Sequence, residues 1–299
     1  MSAAAHLPLR HALLALAVMA VWGSNFAASK VGLETLPPLF FAFLRFGFAF
    51  FPALLFVRRP AIPLRLLALY GVAIGAGQFG LLFIAMQHWI SPGLASLVIQ
   101  SQVFFTIGFA MIANGEQVKL YQWGALALAT MGMLVILVNR GGDATPLGIV
   151  LVLLSGCFWS VGNLVSSRAH HVNMLAFIVW SSGFGAASLF ILALALEGPA
   201  AMLGGLARAD AGTWAVVAYQ SLGNTLFGYG IWGWLLARHP ASLVSPLSLL
   251  VPLFGMTTSW LWLGEALQPW KLAATALVLA GLGLNLLWPQ LQARFASRP

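Results

Sequence analysis

Apolar residues in this chain do not alternate with polar ones; they run on for about twenty residues at a time before Pro, Gly or a charge interrupts them. A run of that length crosses the hydrocarbon core of a bilayer as a helix, the one open-ended structure whose backbone satisfies its own hydrogen bonds there. Ten such runs can be read: 11–30, 39–58, 66–88, 93–113, 121–139, 147–167, 174–196, 212–237, 243–263 and 270–288. The joins hold Pro37-Pro38, Pro60, Pro63, Gly141-Gly142, Gly198-Pro199 and Pro240, residues that stop helices where the backbone can meet water. The pattern predicts an all-α, polytopic membrane protein of ten transmembrane helices.

Composition agrees: of 299 residues, 61% are hydrophobic and 7% charged, against roughly 25% charged in soluble domains. With the N-terminus in the cytoplasm, nine cations fall on the cytoplasmic side (Arg10, Arg58, Arg59, Arg65, Lys119, Arg168, Arg238, Arg294, Arg298) and four on the other (Lys30, Arg140, Arg208, Lys271). That asymmetry satisfies the positive-inside rule and predicts an inner-membrane protein with both termini cytoplasmic. The net charge of +8 is thus spent on topology. The cations are scattered singly, without the basic, aromatic-laced face that nucleic acid requires. His6 and Arg10 before the first run resemble a signal peptide, but the run is long enough to be read as a retained helix. Cys157 is the single cysteine, and no His–carboxylate set has metal spacing. Nor is there a Gly-x-Ser-x-Gly or an intramembrane acid pair. No catalytic residue, metal or cofactor is expected.

The two halves resemble each other. Asn25-Phe26-Ala27-Ala28-Ser29-Lys30 aligns with Asn163-Leu164-Val165-Ser166-Ser167-Arg168, following Trp22 and Trp159 respectively. Gly115-Glu116 after span 4 aligns with Gly264-Glu265 after span 9, and Trp123 or Trp270 follows each. Two five-helix units are expected, 1–143 and 144–299, joined into one membrane domain. Because five is odd, the second enters the membrane from the opposite side. Such inverted repeats commonly support alternating access, with the substrate at their interface near the midplane.

These Trp-plus-Asn segments and Gly-Glu pairs resemble the drug/metabolite transporter superfamily, in its ten-helix branch of two EamA-type repeats. That family commonly has a proline thirteen residues before the glutamate; Pro252 holds that place in the second repeat and Val103 in the first, so only span 9 is expected to kink through it. The likeness is nearest to the aromatic amino-acid exporters. It implies a secondary carrier exporting amino acids or related small neutral or zwitterionic metabolites. A channel or a non-transporting scaffold is the alternative reading. The partners implied are a small solute and the bilayer, and a monomer is compatible with the sequence.

Polar groups within spans should face the bundle, as helix ties or as cavity lining. Those coinciding with the repeat are the substrate-binding candidates: Trp22, Gln78, Gln100, Ser101, Trp159, Asn163, Tyr229 and Ser248. Spans 3, 4, 8 and 9 should bound the cavity, with spans 1 and 6 closing around it. Arg45, the one charge well inside a span, is expected to snorkel outward. Glu116 and Glu265 lie close to Lys119 and Lys271 and should be structural. His88 is the only histidine near a cavity-forming span. With no carboxylate in a span, transport should be facilitated or only indirectly coupled.

Overall fold

A computed structural model describes residues 7–114, 119–139, 142–169, 172–236, 238–239 and 244–296. The described residues form eleven helical rods and a single isolated bridge pair, Ile90 with Ala144. We number the rods α1 Leu9–Thr35, α2 Pro38–Leu54, α3 Leu64–His88, α4 92–114, α5 Leu120–Asn139, α6 Pro146–Ser167, α7 Met174–Leu196, α8 Gly198–Arg208, α9 211–236, α10 245–263 and α11 Pro269–Ala296. All ten predicted segments coincide with a rod. Five of the rods (α1, α3, α5, α6 and α7) are long and apolar enough to cross a membrane, and α2 and α10 are shorter apolar helices.

Phe51, Leu126, Ile191, Leu222 and Leu261 point outward and are exposed, while Phe41, Phe83 and Phe177 fill the interior. A shell this apolar suits lipid rather than water. Proline starts α2, α4, α6 and α11, where its missing N–H costs nothing. Side chains cap three N-termini: Thr145 on α6, which also has its proline, Asn173 on α7 and Asp210 on α9, where Thr213 N donates to Asp210 Oδ1 at 2.7 Å.

Three features depart from expectation. The segment after span 7, read as a loop, forms α8. The rod is short and starts on Gly198-Pro199, turn residues that hide it, but Gly198 takes φ +81 and Pro199 sits in its first turn. Second, α4 changes winding although Val103 stands where the proline was expected: Ile99–Ser101 is a 3₁₀ turn, as is Ser245–Leu249 in α10. The α4 backbone there finds partners on α6 instead, since Ser160 Oγ donates to Gln102 O at 2.7 Å. Third, Arg45 does not snorkel; it is fully buried, because α2 is enclosed by α7 and α9 at that level. Glu116 and the pairing expected of it lie outside the described residues, as does Gly115.

Both α3 and α9 widen mid-helix into π-helix, over Ala73–Gly80 and Tyr219–Gly228. These stretches hold Gln78 on one side and Gln220, Asn224 and Thr225 on the other. The wide turn displaces carbonyls, which hydroxyls then satisfy: Ser155 Oγ donates to Gln78 O at 2.8 Å, and Thr225 Oγ1 to Gln220 O at 3.0 Å. Inserted turns of this kind recur at functional sites.

Candidate functional site

The helices meet around a narrow central cleft of about 30 Å³, room for roughly one water. Trp22, Gln78, Trp159 and Tyr229, four of the eight candidates, line it from α1, α3, α6 and α9. Asn25, Phe79 and Asn224 complete its polar and aromatic wall. The Trp22 and Tyr229 rings are 5.2 Å apart, and Trp22 Nε1 donates to Asn224 O at 3.3 Å. The aromatic side of the cleft is therefore fixed against the π segment of α9. Gln78 is buried, and its Oε1 has no hydrogen-bond partner among the described residues.

The other four candidates are placed elsewhere. Gln100 Nε2 donates to Ser248 O at 3.4 Å, tying the 3₁₀ turns of α4 and α10 to each other one residue from Ile99 in the cleft wall. Ser101 is buried with an unpartnered hydroxyl. Asn163 Nδ2 donates to Gln102 Oε1 at 2.9 Å and to Thr106 Oγ1 at 3.3 Å, a helix-to-helix tie between α6 and α4.

Asn163 also lines a far larger vestibule of about 1,030 Å³, with Leu14, Ser166, Met174, Phe227 and Arg238. It lies at the end of the bundle where α1 and α7 begin and α6 and α9 finish. At the opposite end of α6 a charged cluster closes the bundle. Lys271, 1% exposed, places Nζ 2.9 Å from Asp143 Oδ2 and 3.2 Å from Glu265 Oε1. Glu265 also accepts hydrogen bonds from Ser91 Oγ and, at 3.1 Å, from Gly93 N at the start of α4. One carboxylate thus joins the start of α4, the end of α10 and the start of α11; of these contacts the sequence pointed only to the one between Glu265 and Lys271.

Two further polar ties stand near the same end. Lys30 Nζ donates to Met86 O and Gln87 O at 3.1 and 2.9 Å, a cation on the carbonyl end of α3. Glu197 accepts Leu39 N at 2.6 Å and Phe40 N at 3.0 Å, capping α2 from the end of α7. Burial pushes the Glu197 carboxyl above its ordinary range, while the two N–H bonds pull it back. His88 is exposed at the end of α3, away from the cleft.

Residue reasoning missed Arg45 and Gln220. Gln220 is fully buried in the α9 π segment, where Nε2 donates to Ser29 Oγ at 2.7 Å and Asn25 O at 3.3 Å, while Oε1 accepts from Asn224 Nδ2 and Arg45 Nη1. For Arg45 the signal was present in the sequence: an ionisable residue within an apolar span faces the bundle interior by default.

Similarity to known proteins points the same way. A family model described as the EamA-like transporter family matches twice, over residues 9–138 and 146–287. A protein of Escherichia coli (strain K12) named "Probable amino-acid metabolite efflux pump" is 39% identical over 278 residues, covering 91% of this chain and 93% of that protein. A "Probable terminal-alkyne amino-acid exporter" of Streptantibioticus cattleyicolor is 30% identical over 276 residues, covering 88% and 89%. One solved structure superposes with a TM-score of 0.61 at 18% identity, over 92% of this chain and 95% of that one, a likeness of fold. The protein is therefore a multi-pass membrane transporter and not an enzyme, and the chain belongs to the EamA-like transporter family.

Proposed function

We propose that the chain is a secondary carrier that exports amino acids, aromatic ones among them, or related small metabolites across the inner membrane by alternating access. The observation that carries this reading is the arrangement along α6: an open vestibule at one end, a polar and aromatic cleft in the middle, and a buried lysine–carboxylate latch at the other. A solute entering the vestibule meets Asn163, then the cleft; release requires the latch end to part. The names of the two relatives support the amino-acid class. Trp22, Gln78, Trp159 and Tyr229 would bind the solute; Gln100, Ser101, Asn163 and Ser248 would act from the neighbouring turns and the vestibule wall.

Ten of the rods then span the membrane as two inverted units, 1–143 and 144–299, with both termini cytoplasmic. Helix packing supports this, because partners exchange between halves. α1 lies on α10 and on the α9 π segment; correspondingly, α6 lies on α4 and on the α3 π segment. α2 pairs with α7, and α5 with α11. Spacing agrees as well. α6 and α7 begin 137 and 136 residues after α1 and α2, at 146 against 9 and 174 against 38. α9 and α11 begin 147 and 149 residues after α3 and α5, at 211 against 64 and 269 against 120. The step is close to the 11 residues of α8, which thus reads as an insertion into the second unit. A reporter fused after Arg294 is expected to be active on the cytoplasmic side; periplasmic activity would refute the orientation.

Carboxylates at the ends of spans, as at Glu265 and Glu197, suit a carrier that runs down the solute's own gradient. Export of an amino-acid panel from overexpressing cells tests the function. Gln78→Ala is expected to lower the rate for the transported solute about 10-fold, the loss of one buried hydrogen bond in the cleft. Unchanged transport at equal protein level would remove Gln78 from the site.

A further inference from the structure

We propose that Arg45 is the fixed positive charge of the translocation site and recognises a carboxylate on the transported solute. The inference rests on the carrier reading above and narrows its substrate class to small organic acids and amino acids with a free carboxylate.

Arg45 lies within α2 and is 0% exposed. No carboxylate pairs with it: the ion pairs among the described residues both belong to Lys271. Nε donates to Thr225 Oγ1 and Nη1 to Gln220 Oε1, each at 3.1 Å. Its guanidinium carbon stands 3.6 Å from the centre of the Phe79 ring, which lines the cleft. Nη2 has no hydrogen-bond partner among the described residues.

Two other unpartnered groups gather there. Gln78 Oε1 belongs to the cleft wall, and Ser181 Oγ to a second small void that shares Tyr229 with the cleft and is also lined by Phe46 and Thr225. Buried polar groups without partners are rare, and several around adjoining voids mark a place that takes a polar guest. The charge sharpens the assignment. Neutral hydrogen bonds and a ring face hold a guanidinium but do not neutralise it, and an uncompensated buried cation is costly. A mere tie between α2 and α9 is made as well by an uncharged residue at less desolvation cost. A cation placed here fits a counter-ion that arrives and leaves, and the planar fork of Arg matches a carboxylate in particular. Because the Phe79 ring lies against the guanidinium and lines the cleft, while Arg45 itself does not line it, the carboxylate reaches Nη2 only when that wall shifts, so binding would favour the facing state in which it has shifted.

The test compares L-phenylalanine with L-phenylalaninamide, which lacks the carboxylate, in proteoliposomes of the full chain. The wild type is expected to prefer the acid by about 10- to 100-fold, as for a charge-assisted hydrogen bond. Arg45→Gln should bring that ratio close to one, and Arg45→Lys, which keeps charge but not the fork, should fall between. A wild type that does not discriminate, or an Arg45→Gln protein that loses both activities equally and keeps the ratio, overturns the proposal. If the wild type moves no amino acid of the panel, the exporter reading fails. The carboxylate inference is then decided by thermal stability of the purified protein with sodium benzoate or benzamide. Stabilisation by benzoate alone that disappears in Arg45→Gln supports it. Equal or absent stabilisation, or a shift that sodium chloride produces as well as benzoate, overturns it.

Discussion

Replacing Lys271 by Met is expected to lower the stability of the purified protein by about 3–5 kcal/mol, the range for removing one partner of a buried ion pair. The substitution keeps volume but leaves Asp143 and Glu265 facing each other without their cation. Asp143 is 27% exposed, so water screens part of the repulsion and the lower end of the range is expected. Adding Glu265→Gln and Asp143→Asn to Lys271→Met should recover part of the loss, because the triple variant has no buried charge to strand. Thermal unfolding in detergent measures both. An unchanged midpoint for Lys271→Met would show that the latch does not hold that end of the bundle.

A second large effect is expected where α3 meets α7. A Cβ on Gly71 would lie 2.1 Å from Ser181 O, and one on Gly75 2.7 Å from Gly185 Cα. The obstacle in each case is backbone, which cannot rotate aside as a flexible side chain would. Gly71→Leu or Gly75→Leu must therefore push the helices apart, at a cost of more than the 1–3 kcal/mol usual for overpacking. Both variants should fail to accumulate as folded protein in membranes. Gly124→Leu, where a Cβ meets only Leu284 Cδ2 at 3.4 Å, serves as the tolerated control. Equal accumulation of all three, judged by size-exclusion of detergent extracts, would contradict the packing.

What could be read from the sequence follows from the physics of each feature. Hydrophobic length places helices through an energetic demand on every residue of a span, so each of the ten expected segments coincides with a rod, whereas the short α8 went unread. The Lys271 and Glu265 partnership followed from proximity in sequence, but Asp143 and Ser91 joined it through tertiary contacts that spacing does not encode. For the cleft, Trp22, Gln78, Trp159 and Tyr229 were legible because repeat position and polarity coincided. Gln220 was not, since it lies in a span but coincides with no polar position of the other repeat, and that coincidence was what selected the candidates. The 3₁₀ turn of α4 was likewise hidden, as its cause lies in Ser160 on another helix rather than in a local proline. Arg45 was misjudged through reach: a long side chain can snorkel from a span, but only if lipid or water lies beside it, and α7 and α9 occupy that space.

A carrier of the proposed kind moves its solute by binding it in a cleft that faces one side at a time. Counterflow tests it most directly: proteoliposomes preloaded with unlabelled amino acid, diluted into a trace of the same labelled compound, with no ion gradient imposed. The expected result is transient accumulation of label above equilibrium, saturable with external concentration and reduced by Gln78→Ala, because the loaded carrier returns faster than the empty one. Label entry that rises linearly with concentration and ignores the internal solute would identify a channel and contradict it.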